Sequence, residues 1–347
     1  MEWRRNQKEV SMRIAVIGGV ASTLVLINKL NEHEFKDVKI WSYNPKNLTN
    51  VSRWIDLNHV AKKYSYQSLN FTKVQECFVS LKEYQPDYLF VVGLSQIIPR
   101  EILEISNYGS IGFHPTALPK GRGRAPIAWL LMEEVKGAAT FFFLESDIDS
   151  GPIIEQIKFS VTDNDDAESV TDKMLEAEKQ ALDSLLPVIK KYKIKSKKQD
   201  FESASWFGKR SPEDGLIDWS EDAIKIDKLI RASTYPHPGA FTFYGKEKLI
   251  ILKVEKTNAP IKGVIGRILH VDNKSSSFIV QTGDGLLKVK KWDLIKWVPK
   301  IGMRLGYNSQ VEINKLYEEN VQLRSYLKKL EIKISSLEKL IKLKFPN

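Results

Sequence analysis

The sequence predicts an α/β protein that opens with a Rossmann-like, mostly parallel sheet domain and continues into a small β domain and a long terminal helix. Three observations predict it. Residues 12–190 alternate short apolar strand-like runs with helix-like ones, the order of βαβ units. Residues 240–291 hold five short strand-like runs punctuated by Gly, Asn and Asp, the pattern of a small barrel of the oligonucleotide/oligosaccharide-binding (OB) type. From Ile313 to Ile341 apolar residues recur at a 3-4-3-4 spacing, the seam of a coiled coil. The expected division is a flexible extension at 1–11, an α/β domain at 12–200, an OB-like β domain at 201–306 and a coiled-coil tail at 307–347.

The elements follow in order. Residues 13–17 are a β-branched strand, followed by Gly18-Gly19 and an apolar-periodic helix over 21–30. Residues 38–43 form a second strand. Residues 88–92 form a third, continuously apolar, as a strand covered on both faces should be. Pro99 suits the first turn of a helix running through 105. Strands at 110–113 and 138–144 come next, then a long amphipathic helix over 165–192. The character then changes. Residues 211–215 read as a turn and 220–232 as a helix capped by Ser220. Strands are expected at 240–244, 249–256, 264–271, 278–281 and 286–291.

Composition narrows the function classes. The chain has 347 residues, enough for two domains, with 42% hydrophobic and 28% charged residues, ordinary for a globular protein. No apolar run approaches the ~18 residues of a membrane span. The first residues carry charges but no apolar stretch, so no secretory leader is expected. Cys77 is the single cysteine. No internal disulfide or cysteine-rich zinc site is therefore possible, and a cytoplasmic protein with a buried Cys77 is expected. The histidines at 33, 59, 114, 237 and 270 are scattered, and no metal site is expected. The net charge of +10 suits anionic partners, but the basic run at 190–198 reads as a solvated linker. Residues 17–22 lack the G-x-G-x-x-G spacing of a dinucleotide site.

Chemistry concentrates in two loops. Residues 112–126, Gly-Phe-His-Pro-Thr-Ala-Leu-Pro-Lys-Gly-Arg-Gly-Arg-Ala-Pro, follow a strand and precede a helix, which sets His114 at a strand's C-terminal end, where ligands bind in such sheets. Prolines stiffen this loop, and Gly121 and Gly123 allow close backbone approach. Arg122 and Arg124 offer planar donors to an anion. The second loop, Glu145-Ser146-Asp147-Ile148-Asp149-Ser150-Gly151, also follows a strand. A histidine and an aspartate at two strand ends can meet across one crevice.

These residues resemble the folate-dependent formyltransferases. The His114 loop, the Asp149-Ser150-Gly151 turn 35 residues later, the block Phe207 to Trp219, and Pro236-His237-Pro238-Gly239-Ala240-Phe241 carry the likeness, which covers about residues 12–300. Within the family, Gly121 to Pro126 and the block 210–219 look like the branch that modifies nucleotide-linked amino sugars. The resemblance implies His114 and Asp149 as catalytic residues and N10-formyltetrahydrofolate as co-substrate, with no metal. It implies a pterin site at Val92, Gly93, Leu94, Ser95, Gln96 and Ile97 together with Leu144 and Asp147. Arg122, Gly123, Arg124 and Pro126 are expected at the substrate. The family's catalytic asparagine falls at Gly112, and Ser95, Gln96 and Thr116 are candidate substitute donors. The expected activity is formyl transfer to a nucleotide-linked amino sugar, with no specific nucleic-acid or membrane partner. The alternatives are a methionyl-tRNA formyltransferase and a non-catalytic folate or sugar-binding homologue.

The tail implies assembly. Leucines at 316, 323, 330 and 337 occupy d positions, and Ile313, Asn320, Leu327, Ile334 and Ile341 occupy a positions. One buried a-position asparagine favours two parallel strands. Glu319 to Arg324 and Lys333 to Glu338 are attractive g–e pairs. A homodimer through residues 313–341 is expected.

Overall fold

The structure, a computed structural model, describes residues 12–46, 53–133, 135–293, 297–306 and 309–344. The expected flexible extension at 1–11 lies outside them. The first part runs β1 (Arg13–Gly18), α1 (Ala21–Glu32), β2 (Asp37–Tyr43), α2 (Asn58–Lys63), β3 (Gln67–Phe71), α3 (Phe78–Tyr84), β4 (Tyr88–Val91), α4 (Arg100–Leu103) and β5 (Gly109–Thr116). It continues through β6 (Arg122–Gly123), α5 (Pro126–Met132), β7 (Gly137–Phe143), β8 (Ile153–Phe159) and α6 (Ala167–Lys190). The second part runs β9 (Trp206–Phe207), α7 (Ala223–Ser233), β10 (Ala240–Tyr244), β11 (Glu247–Lys256), β12 (Ile268–Asp272), β13 (Ser277–Gln281), β14 (Leu286–Asp293) and α8 (Ser309–Lys344).

The main sheet has the order β3-β2-β1-β4-β5-β7-β8. β3 to β5 are parallel, whereas β7 and β8 are antiparallel to their neighbours. This is the mostly parallel sheet that the strand–helix alternation predicts. Successive β1 side chains face opposite layers. Ile14 and Val16 pack with Leu26 and Leu30 of α1 and Leu182 and Leu186 of α6. Ala15 and Ile17 pack with Leu81 and Ile102 on the other side. Cys77 lies in that second layer, 1% exposed, where burial pushes its thiol up to about 12, as expected for an inert core residue.

Two strands escape a reading of apolar runs. β3 is largely exposed and β8 only half-buried, so neither carries a continuous apolar signature. The cap of α7 also differs from expectation. Ser220 donates its hydroxyl to Asp218 (2.6 Å), and Asp222 caps the helix by accepting from the Lys225 amide at 2.7 Å. The second sheet is antiparallel in the order β10-β11-β14-β13-β12. Its inner face packs Leu249, Ile251, Phe278, Val280, Leu287 and Val289 against Ile226 and Ile230 of α7. Among the described residues no ladder joins its edge strands β10 and β12.

α8 follows from this domain, anchored by Leu305 in the core and by the Gly306 amide bonded to the Phe243 carbonyl at 2.9 Å. Every side chain described over 313–341 is exposed, Leu316, Leu323 and Leu337 among them. No helix among the described residues is long and apolar enough to cross a membrane.

One buried carboxyl group makes stability depend on pH. Glu178 of α6 is fully buried, and neither carboxyl oxygen has a partner in hydrogen-bonding geometry among the described residues. Burial raises its pKa well above the usual carboxylate range. The Ser22 hydroxyl favours the anion, but by less than burial disfavours it. Such a group stabilises the fold below its unfolded pKa, and that contribution is lost as pH rises toward the folded value. Glu178→Gln is therefore expected to match wild type near pH 4 and to exceed it increasingly above pH 5, by up to about 1.4 kcal/mol per pH unit. Urea unfolding across this range checks it, and a pH-independent difference would refute it.

Candidate active site

β5 ends at the crevice of the sheet and presents Gly112 and His114 on one face. Their partners across the ladder are Phe142 and Thr140 of β7. His114 is 5% exposed, so its ring is buried. Its Nε2 lies 2.8 Å from the Gly121 carbonyl oxygen, and its Nδ1 lies 3.5 Å from Asp149 Oδ2. Both ring nitrogens thus face acceptors, and a neutral imidazole can donate to only one. Asp149 sits in the left-handed region (φ 51°) of the turn after β7. The same Oδ2 accepts from the Gly123 amide at 2.8 Å. The two residues expected to meet across the crevice do meet.

The arginine loop behaves differently from expectation. Arg122, expected at the substrate, is 1% exposed. Its Nη2 and Nε donate to Gln199 Oε1 at 2.8 and 3.2 Å. Its guanidinium lies 4.6 Å from the Phe201 ring centre and 5.3 Å from that of Trp206. Burial lowers its pKa. Gln199 Nε2 in turn donates to the carbonyls of Asp149 (2.9 Å) and Gly151 (2.7 Å). Arg122 is thus an internal brace that holds the Asp149 turn through Gln199. Nothing local in the linker singled out Gln199, because its role depends on three segments converging. Gly123, at φ 106°, brings the loop within 2.4 Å, measured from a would-be Cβ, of the Phe207 carbonyl, so only glycine fits. Arg124 is exposed, its amide bonded to Phe207 O at 3.2 Å. Pro126 opens α5, whose Trp129 stacks on Phe207 at 5.2 Å.

The expected pterin residues divide in two. Val92 faces inward. Its side chain is fully buried, its amide donates to Ile17 O (3.0 Å), and its carbonyl accepts from Thr23 Oγ1 (2.7 Å). Gly93 is packed against Val20. Beyond it the chain is open. The amides of residues 94–97 and of 145–148 have no acceptor among the described residues. Leu94 and Leu144 are half-buried, Ser95 and Asp147 are exposed, and Ile97 and Ile148 are 83% and 60% exposed. Two strips of unpaired backbone with apolar side chains thus border the crevice and suit a flat heteroaromatic ligand.

The space over Gly112 is filled by hydrocarbon, where a substitute donor was expected. A Cβ there would stand 2.6 Å from Leu144 Cδ2 and 3.1 Å from Phe142 Cζ. Of the three candidates, Thr116 donates to Lys120 O (2.8 Å), and Gln96 is held by Val74 N and Thr72 O. Of the three, only the Ser95 hydroxyl has no hydrogen-bond partner among the described residues. Gly112→Asn is therefore expected to lower stability by about 1–3 kcal/mol through overpacking. Adding Leu144→Ala should recover most of the loss. Thermal melts of the single and double variants check this, and an undiminished melting temperature for the single variant would refute it. No group of three or more His, Cys, Asp or Glu among the described residues could hold a metal.

The His114–Asp149 pair thus stands beside a mostly parallel sheet that is followed in the chain by a separate antiparallel sheet. The chain matches the formyl transferase family over residues 12–186 and the formyl transferase C-terminal domain over 209–296. It belongs to the formyl transferase family. Solved structures share the fold. An N-formyltransferase from Helicobacter canadensis, in complex with folinic acid and dTDP-3-aminofucose, is 20% identical, with a TM-score of 0.62 over 81% of this chain and 100% of that one. WlaRD, a sugar 3N-formyl transferase solved with dTDP and 5-N-formyl-THF, is 18% identical, with a TM-score of 0.61 over 83% and 99%. A methionyl-tRNA formyltransferase from Clostridium thermocellum is 23% identical, with a TM-score of 0.51 over 72% and 95%.

Proposed function

We propose that this protein transfers the formyl group of N10-formyltetrahydrofolate to the amine of a nucleotide-linked amino sugar. The observation that carries the reading is the His114–Asp149 pair beside two strips of unpaired backbone. The folate would lie along residues 94–97 and 144–148, its pterin between Ile97 and Ile148. The sugar amine attacks the formyl carbon, the carbon–N10 bond breaks, and N10 takes a proton while the amine loses one. His114 serves this exchange as base toward the amine or donor to the oxyanion. To do so, Nε2 must give up the Gly121 carbonyl. Asp149 orients the ring and stabilises its charged form. The dTDP-3-aminofucose in the H. canadensis structure and the dTDP in the WlaRD structure support the substrate class.

Mass spectrometry tests it, after incubation with N10-formyltetrahydrofolate and a panel of nucleotide-linked 3-amino and 4-amino sugars. One sugar should gain a formyl group while charged initiator tRNA stays unmodified. Efficient formylation of that tRNA would overturn the substrate class. A second reading, a non-catalytic homologue, draws on Leu144 filling the place over Gly112, and absence of product from every acceptor would favour it.

For assembly we propose a parallel homodimer through α8. An exposed row of leucines and isoleucines on a lone helix is unstable in water. Parallel pairing sets Asn320 against its own copy, where the two amides satisfy each other. Antiparallel pairing would set it against leucine.

A further inference from the structure

One continuous stretch of chain ties the two loops that carry His114 and Asp149 to each other. Residues 197–207 lie on the connection from α6 to the second domain. Their first contact is a backbone bridge between Lys197 and Ile153, bonded in both directions at 2.8 Å, just past the Asp149 turn. Gln199 then bonds the turn itself. Ser205 holds the His114 loop twice. Its hydroxyl accepts from the Gly121 amide and its carbonyl from the Arg122 amide, both at 2.9 Å. β9 closes the stretch by pairing in parallel with β6, Arg122 beside Trp206 and Gly123 beside Phe207. Phe207 stacks on Trp129 of α5, and Leu130 and Leu131 of that helix pack with Ala232 of α7. The stretch is therefore fixed at both ends.

Gln199 is the point where the two loops are joined. It is 7% exposed, and its amide is fully used. The oxygen accepts from Arg122, and the two hydrogens go to the carbonyls of Asp149 and Gly151. A guanidinium only donates, so it fixes which end of the amide faces it. No other donor reaches either carbonyl among the described residues. The turn needs this support. Asp149 has φ 51°, a region that a residue with a side chain keeps only where its surroundings hold it. Its Oδ2 stands 3.5 Å from His114 Nδ1, at the limit of a hydrogen bond. A small movement of the turn therefore decides whether the carboxylate meets the ring.

We infer that Gln199 is a positioning residue: it holds the Asp149 turn so that the carboxylate faces His114. The inference rests on the roles of His114 and Asp149 proposed above. Gln199 bonds only to Arg122 and the turn, so it acts on formyl transfer through Asp149.

Two measurements on the full-length protein test it. The first needs no substrate. Nitrogen NMR of the histidine rings reports how each ring is bonded, and His114→Ala identifies the His114 signals by their loss. Asp149→Asn defines the signature of the ring without its carboxylate. Gln199→Met keeps the length of the side chain and removes its amide. It should move the His114 signals toward that signature, and unchanged signals in the folded variant would overturn the inference. The second is a double-mutant cycle in single-turnover formylation. Gln199→Met should slow the wild-type reaction about tenfold, as a displaced group does, and the Asp149→Asn reaction by less than about twofold. Equal losses in both backgrounds would show a general structural role and overturn the positioning. Should Gln199→Met fail to fold by circular dichroism, Gln199→Glu takes its place, because it keeps an oxygen for Arg122 and loses the donors to the turn. If no acceptor is formylated, the functional reading falls, and the nitrogen signals alone decide whether Gln199 sets the pair.

Discussion

His114→Ala is expected to lower turnover by about 10²–10⁴, the usual range for a positioned acid–base or oxyanion group. Because His114 is 5% exposed, the variant also leaves a small cavity and strips the Gly121 carbonyl of its shorter hydrogen bond, leaving the Thr116 hydroxyl at 3.3 Å, at a cost of about 1–3 kcal/mol. The fold should nonetheless persist, so circular dichroism must accompany the rate. Asp149→Asn is the cleaner probe. Asparagine keeps an oxygen for the Gly123 amide, now 2.8 Å from the carboxylate. It removes the negative charge that faces Nδ1 at 3.5 Å. A fall of about 10² or more with an unchanged melting temperature would assign Asp149 an electrostatic role. Single-turnover formylation of the substrate found by mass spectrometry measures both variants. Wild-type rates in folded His114→Ala would overturn the mechanism.

Removing α8 is expected to convert a dimer into a monomer. The helix spans 36 residues, about 54 Å at 1.5 Å per residue. Its described side chains over 313–341 touch too little of the rest of the chain to be covered. A protein ending at Gly306 keeps Leu305 in the core and the Gly306 amide on Phe243, so the β domain should stay folded. Sedimentation equilibrium should give twice the monomer mass for the full chain and the monomer mass for the shortened one. Asn320→Leu should keep or strengthen association while relaxing the parallel register. An unchanged oligomer after truncation would sink the dimer.

Much of the fold was legible because it is written in local periodicity. β1, β2, β4 and α6 announce themselves as apolar runs or amphipathic stripes. β3 and β8 stayed hidden because sheet-edge strands need no continuous apolar face. The cap of α7 went to Asp222, because Ser220 was already bonded to Asp218. Two eligible cap residues stood within one turn, and only the backbone path chose between them.

The sequence by itself determined the layer order of the first domain and the family. It also singled out His114 and Asp149 as a pair, but not the route by which they meet: β7 is antiparallel to β5, so Asp149 reaches His114 through the turn after β7 and not by two strand ends sharing one edge. Only the tertiary structure decided which arginine is available. Arg122 and Arg124 are two residues apart and equally charged, yet Gln199, Phe201 and Trp206 return to enclose the first and leave the second in solvent. It also decided that Leu144 fills the space over Gly112 and that Val92 turns both backbone groups inward. A residue's type states what its side chain can bond to. Which partner it meets depends on segments distant in sequence, and close packing admits only one occupant to each space.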